Sequence, residues 1–288
     1  MNEPHRDRPD AANLALPPCL QQAAALVAIL TMTGGCARAL HEPPPLVDPS
    51  QDAGQRDPER VAPLLAQAEA LYASRDPEKV RKAVAIYMDA ARADTTRVEG
   101  LVGAIRAESW LIDHEDDAEA RRRDAISSVQ AAQWCGRIAP KSAACVYWLG
   151  AALGLQARER HATVLDALPR IEEAFKKAAA SEPSLEQGGP DRALALLYLR
   201  APAWPSGVGD PDLGLEHARK AVALAPDYPP NQLALAEALT ATGDATGGRE
   251  AYERALELAR AKATGGDPDA PDWIQEAETA LTGSPPKR

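Results

Sequence analysis

GLEHARKAVALA at residues 214–225 returns as GREAYERALELA at residues 248–259. Five positions keep the same residue type at a constant offset of 34 residues: a glycine, a glutamate, an alanine, a leucine and a second alanine. A period of this length, with apolar residues at helical spacing, is typical of an array of helical hairpins. The region from Asp191 to Arg260 therefore decides the architecture.

The side-chain sizes in the last predicted hairpin fit this architecture. Each hairpin has an inner helix A and an outer helix B, with small residues where the two backbones approach and bulky residues between them. A Gly243 turn separates the two helices here. The contacting positions are Leu235, Ala236 and Leu239 in helix A and Gly248, Tyr252 and Ala255 in helix B. The pattern is that of a tetratricopeptide repeat.

Three prolines extend the register toward the N-terminus. Pro140, Pro183 and Pro226 are 43 residues apart, and each follows a small residue of a helix B by five positions: Cys135, Ala178 and Ala221. Proline cannot continue a helix, so each one closes a hairpin. The spacing of 43 residues exceeds the 34-residue period by nine. We place the extra residues between helix A and helix B of two hairpins, as extended loops at 156–168 and 200–212.

The fold class follows from these repeats. Two earlier hairpins are predicted before Ile138, and residues 272–281 form a short capping helix after Gly265-Gly266. We expect an all-α, tetratricopeptide-like solenoid of about five hairpins over residues 59–283. A generic bundle of Ala-rich helices is the alternative. Only 4% of the residues are aromatic, and no segment alternates with the two-residue period of a half-buried strand.

The charge argues against a nucleic-acid partner. The formal net charge is −10, and no basic stripe is interleaved with aromatic residues. An acidic surface repels phosphates, so we expect no nucleic acid to bind.

The N-terminus is typical of an exported lipoprotein. Ala23–Met32 is an apolar run of ten residues, too short to span a bilayer but long enough for a signal-peptide core. Thr33-Gly34-Gly35-Cys36 follows and resembles the bacterial lipoprotein signal, although Thr33 stands where leucine is usual. We expect residues 1–35 to be a signal peptide and Cys36 to be lipidated. An uncleaved anchor and an ordinary secreted product are the alternatives.

The next segment and the cysteines agree with export. Residues 36–58 carry Pro43-Pro44-Pro45 and are read as a disordered tether that holds the domain off the membrane. Ala37 favours the outer over the inner membrane by resemblance to enterobacterial sorting. Cys135 and Cys145 flank Pro140, so a disulfide is conceivable in the oxidising periplasm. The alternative is that Cys135 is a small packing residue.

Residues 200–210 form the longest irregular stretch of the domain, and loops of this size are usually functional or flexible. Trp204 could stack on a ligand or fill the space under the loop, and we expect the second. Asp210 is expected to cap a helix that begins near Pro211. Tyr147, Leu233 and Glu237 are candidate positions of a concave groove, and the alternative for each is a core position or a solvated face.

Chemistry-bearing motifs are missing from the sequence. The acidic run around His114 is read as solvated, and no zinc spacing, Walker loop or nucleophile motif is present. We therefore expect no enzyme, no metal and no cofactor.

Residues 198–205 (YLRAPAWP), 207–210 (GVGD) and 225–231 (APDYPPN) resemble the T-component family of tripartite ATP-independent periplasmic (TRAP) transporters. The resemblance implies a periplasmic lipoprotein that associates with the transporter's solute-binding component. It makes Arg200, Trp204, Asp210 and Asn231 candidate binding residues. The alternative is an envelope assembly scaffold that docks other envelope proteins without a solute. Homo-oligomerisation stays open.

Overall fold

The computed structural model describes residues 38–47 and 57–283. The predicted signal peptide, the predicted lipidation site Cys36 and residues 48–56 lie outside the described residues. The helices of the described part are α1 (Val61–Tyr72), α2 (Pro77–Ala93), α3 (Glu99–His114), α4 (Ala118–Ile138), α5 (Ala143–Glu159), α6 (Val164–Ser181), α7 (Gly189–Arg200), α8 (Pro211–Leu224), α9 (Pro229–Ala241), α10 (Ala245–Thr264) and α11 (Ala270–Thr282). Short 3-10 turns at Pro58–Arg60 and His161–Thr163 precede α1 and α6.

The helices form an all-α, tetratricopeptide-like solenoid, as the sequence predicts. Five antiparallel hairpins pair an odd-numbered helix A with the next helix B, and α11 caps the last one. Consecutive helices pack along the whole array, and A helices also contact A helices, in the pairs α1–α3, α3–α5, α7–α9 and α9–α11. Ala203 and Gly209 form an isolated bridge, the one β-type feature of the described residues.

The repeated small residues lie where two helices come closest. A Cβ atom added to Gly214 would lie 3.3 Å from the carbonyl oxygen of Ala195, and one on Gly248 would lie 3.1 Å from that of Ala236. Each glycine therefore lets helix B approach the backbone of its helix A. The three prolines also act as predicted, since α4, α6 and α8 each end two residues before one.

The prediction of an extended loop at residues 156–168 is wrong. The helix α5 continues to Glu159, and α6 begins at Val164. Pro169 lies inside α6. The helix nevertheless forms because Ala167, Leu168 and Ile171 continue the apolar spacing of its buried face.

The main core lies between hairpins two, three and four, around Leu101, Leu153 and Leu194. Cys135 in α4 and Cys145 in α5 join this core, and their sulfur atoms are bonded with 5.3 Å between the two Cα atoms. The bond links the outer helix of one hairpin to the inner helix of the next.

The curvature of the array brings its two ends together. Nε and Nη2 of Arg75, in the turn after α1, donate to the two carboxylate oxygens of Asp269 at 2.5 and 2.7 Å. Nε2 of His114, at the end of α3, lies 3.0 Å from an oxygen of Asp272 in α11. We call these two contacts the clasp.

Part of the predicted tether lies against the helices. Residues 38–47 form neither helix nor strand, and the Ala39 amide donates to Oδ2 of Asp166 in α6 at 2.9 Å. The Trp134 indole in α4 donates to the Pro44 carbonyl at 2.8 Å. Ala39 is only 1% exposed, so this contact is part of the packed interior. Within the described residues, no helix combines the length and apolarity that crossing a bilayer requires.

Candidate binding surface

Ion pairs join three of the four pairs of A helices that contact each other. Arg106 of α3 contacts Glu69 of α1 at 2.5 Å. Arg158 of α5 contacts Asp113 of α3 at 2.8 Å, and Arg200 of α7 contacts Glu237 of α9 at 2.7 Å. In a helical solenoid the A helices line the concave side. We call these three pairs the concave ladder.

Arg200 and Glu237, both predicted as binding residues, form the best-aligned rung. Two guanidinium nitrogens of Arg200 donate to the two carboxylate oxygens of Glu237 at 3.0 and 2.7 Å. The Arg200 side chain is 58% exposed, so a partner can reach it without unfolding the array.

Glu276 of α11 extends this rung. Glu276 is an exposed residue, and partial desolvation by the neighbouring side chains raises the pKa of its carboxyl group. The positive charge of Arg200 opposes that rise in pKa, whereas the negative charge of Glu237 adds to it. The three side chains thus form one electrostatic cluster that spans α7, α9 and α11.

The first rung borders an apolar groove of about 520 Å³, lined in part by Leu65, Val102 and Tyr87. The Arg106 guanidinium also lies 4.9 Å from the ring centre of Tyr72, and the Arg75 guanidinium lies 3.9 Å from the same ring centre. The ladder is therefore connected to the clasp through one aromatic ring.

Asn231, another predicted binding residue, is fully buried. Its amide nitrogen lies 2.9 to 3.0 Å from the carbonyl oxygens of Gln187, Ala221 and Ala225, and its oxygen accepts from Arg192 at 2.8 Å. These contacts fix the start of α9 against the two preceding segments.

Asp210 and Tyr147 are also engaged within the fold. Asp210 caps α8 as predicted, because its carboxylate accepts from the amides of Asp212 and Leu213. Tyr147 is 8% exposed and packs against Trp148 and Phe175. Leu233, a third groove candidate, is buried at 5% exposure. Among the predicted residues, Arg200, Glu237 and Trp204 have surfaces that a partner can touch.

The expectation that Trp204 fills the space under its loop is wrong. The Trp204 side chain is 85% exposed. Val208 packs against the main core instead, and Gly207 lies beside Leu168. The loop is closed by hydrogen bonds from the Gly209 amide to the Pro202 carbonyl at 2.8 Å and from the Asp210 amide to the Tyr198 carbonyl at 2.9 Å. It therefore presents Trp204 on a fixed frame.

Sequence reasoning missed the pairing in the ladder. Glu69 and Arg106 are separated by 37 residues, and so are Arg200 and Glu237. An acidic residue and an arginine at equivalent positions of successive A helices form a pattern from which these two ion pairs could have been predicted. Across residues 38–47 and 57–283, no group of three or more acidic, histidine or cysteine side chains could hold a metal ion.

The comparisons with known proteins concern the fold. No protein-family model and no curated protein matches the sequence. The thermophilic TPR protein TTC0263 of Thermus thermophilus is 19% identical, with a TM-score of 0.58 over 77% of this chain and 99% of that chain. MamA is 18% identical, with a TM-score of 0.41 over 69% and 96% of the two chains. YrrB, described as a TPR protein with an unusual peptide-binding site, is 13% identical, with a TM-score of 0.41 over 73% and 90%. On the likeness to the Thermus protein, the chain has the tetratricopeptide fold.

Proposed function

We propose that the chain is a periplasmic lipoprotein scaffold of the TRAP T-component type, and that its concave ladder binds a periplasmic solute-binding protein. The observation that carries the proposal is the exposed Arg200–Glu237 rung beside Glu276. It lies within the region whose sequence resembles the T-component family. The anchor would be the lipid on Cys36.

The chemistry of the rung favours a protein surface as its ligand. Arg200 offers a planar set of donors that match a carboxylate, and arginine is enriched where interfaces have their strongest contacts. Glu237 and Glu276 offer acceptors to a basic or amide side chain. A partner that carries both kinds of group can exchange hydrogen bonds with the rung without leaving a charge unpaired.

The test uses the chain from residue 38 as bait for an envelope extract, with bound proteins identified by mass spectrometry. The variant is Arg200→Ala with Glu237→Ala. Lys177→Ala is the matched control, because Lys177 and Glu173 form an ion pair on α6, away from the A helices, with both side chains 65% exposed. We expect wild type and control to recover a solute-binding protein and the double variant to lose it.

The affinity of the recovered protein gives the second measurement. Loss of a central arginine pair should weaken binding at least about tenfold, which corresponds to roughly 1.4 kcal/mol. Equal recovery by the double variant would place the contact elsewhere. Recovery of assembly factors alone would favour the envelope assembly scaffold.

A further inference from the structure

The turns inside the hairpins all lie at one edge of the array. Each helix A runs toward this edge and each helix B runs away from it, so the turns between successive hairpins lie at the opposite edge. We call the part formed by residues 160–165 and 201–213 the turn edge. It belongs to hairpins three and four.

The turn edge carries most of the exposed large apolar side chains of the described residues. Trp204 is 85% exposed, Leu165 69% and Leu213 39%. Leu224, at 43%, is the fourth and lies at the opposite edge, where α8 ends. Single exposed leucines are ordinary, but three exposed large apolar side chains at one edge, one of them a tryptophan, favour a contact surface there.

The N-terminal segment reaches the fold at this same place. Ala39 is bound to Asp166, the residue next to Leu165. Leu168, one helical turn further along α6, lies against Gly207 of the Trp204 loop. The first described residues, Leu165 and the loop therefore gather around the start of α6.

This docking limits where an anchor could be attached. Three peptide units separate Cys36 from Ala39, and extended chain spans at most about 3.6 Å per residue. A lipid on Cys36 would thus be joined to the chain within about 11 Å of the Ala39 contact. The contact leaves too little free chain in front of it to hold the domain away from a bilayer.

We propose that the turn edge lies on the lipid surface, with Trp204, Leu165 and Leu213 inserted at the level of the headgroups. The inference rests on the lipid anchor of the proposed function. Tryptophan prefers the boundary between water and acyl chains, and leucine adds apolar area there. The closed loop already holds Trp204 outward, so insertion costs little ordering of the backbone.

The charges around the turn edge are close to balanced. Arg38 and Arg160 can extend their guanidinium groups to lipid phosphates while their stems stay near apolar surface, whereas Arg170 is paired with Asp166 at 3.5 Å. Asp166, Asp210 and Asp212 lie in the same region. The apolar side chains therefore supply the attraction, and we expect contact with the bilayer to depend little on salt.

The experiment imitates the anchor. The chain from Cys36 keeps the compact unit of residues 37–288, and Cys135 and Cys145 are bonded to each other, so Cys36 supplies the free thiol. It is coupled to maleimide lipid in vesicles of phosphatidylethanolamine and phosphatidylglycerol with brominated acyl chains. Brominated chains quench tryptophans that touch them. The sequence contains five tryptophans, so the substitution identifies the one that is quenched. We expect quenching in the wild type and its loss in Trp204→Phe.

Two further variants decide the placement. Leu165→Ala with Leu213→Ala should reduce the quenching at least twofold, whereas Leu224→Ala at the opposite edge should match the wild type. Equal quenching in wild type and Trp204→Phe, or an equal fall in Leu224→Ala, would overturn the proposal. So would a Trp204→Phe chain that keeps the wild-type quenching but loses the solute-binding protein, because the edge would then bind protein.

The two proposals fail separately. Arg200→Ala with Glu237→Ala should keep the quenching while losing the solute-binding protein. A wild-type chain that recovers the solute-binding protein without any quenching would overturn the membrane contact and leave the proposed function standing.

Discussion

Glu108 is a carboxylic acid in an interior that offers it no counter-ion. It lies on α3, is 3% exposed, and its Oε2 atom has no hydrogen-bond partner among the described residues. Burial raises the pKa of Glu108 to about 8, a hydrogen bond from Ser127 lowers it, and the negative charge of Asp124 raises it further. The folded chain therefore holds a proton at neutral pH that the unfolded chain has released.

This proton makes the free energy of unfolding depend on pH. Between the ordinary glutamate pKa of 4.5 and the folded pKa of about 8 the folded state binds more protons, so stability falls as pH rises through that window. Each tenfold difference in proton affinity corresponds to about 1.4 kcal/mol, which gives a total on the order of a few kcal/mol. We predict that Glu108→Gln flattens this decline and makes the variant more stable than wild type at pH 9.

Urea unfolding at pH 5, 7 and 9 measures the effect. Glu250→Gln, an exposed position on α10, serves as the matched control and should follow the wild-type curve. A Glu108→Gln variant that loses stability with pH as steeply as wild type would show that Glu108 does not hold the proton.

At the scale of the element, the closed loop between α7 and α8 depends on two glycines. A Cβ atom on Gly209 would overlap the carbonyl oxygen of Ala201, and one on Gly207 would lie 2.5 Å from that of Pro202. We predict that Gly209→Ala destabilises the chain by roughly 1–3 kcal/mol, because the loop must open to admit the methyl group. Thermal unfolding measures the change.

Gly154→Ala is the control for this substitution. Gly154 lies inside α5, and a Cβ atom there would meet nothing within 4 Å. Alanine is the better helix former by about 0.5–1 kcal/mol, so Gly154→Ala should stabilise the chain. Equal effects of the two substitutions would show that the loop does not need its glycines.

The elements themselves could be predicted because their determinants are local. Pro140, Pro183 and Pro226 end helices wherever the chain later goes, and Gly214 and Gly248 mark close approach through their size alone. The loop side chains could not be predicted in the same way. Trp204 and Val208 are both apolar, and only the packed structure determines which of them enters the core.

The candidate site was predictable residue by residue but not as an arrangement. Arg200 and Glu237 were identified separately, and their pairing depends on how α7 and α9 align. Asn231 was identified because of the family resemblance, yet its amide binds backbone carbonyls in the interior. A polar residue in a motif can serve the fold or a partner, and burial distinguishes the two.

At the scale of the whole molecule, the clasp could not be read from the sequence, because Arg75 and Asp269 meet only after every hairpin has added its curvature. The contact is partly shielded from solvent, with the Arg75 side chain 15% and the Asp269 side chain 31% exposed. Arg75 also has a φ of 50°, a backbone conformation that side chains other than glycine rarely adopt. The side-chain contacts of Arg75 offset this strain.

A double-mutant cycle tests whether the clasp stabilises the closed array. We predict that Arg75→Ala and Asp269→Asn together cost less than the sum of the two single changes, with a coupling free energy of about 1–3 kcal/mol in urea unfolding. The matched control is the exposed pair Arg254–Asp227, which lies at 3.0 Å with side chains 44% and 77% exposed. Its coupling should stay below about 1 kcal/mol.

Because the clasp holds α11 against the first hairpin, Arg75→Ala should also speed amide hydrogen exchange in α11 more than in α5. Additive single effects, with α11 exchanging as in wild type, would mean that the ends only touch and that the hairpin packing alone sets the curvature.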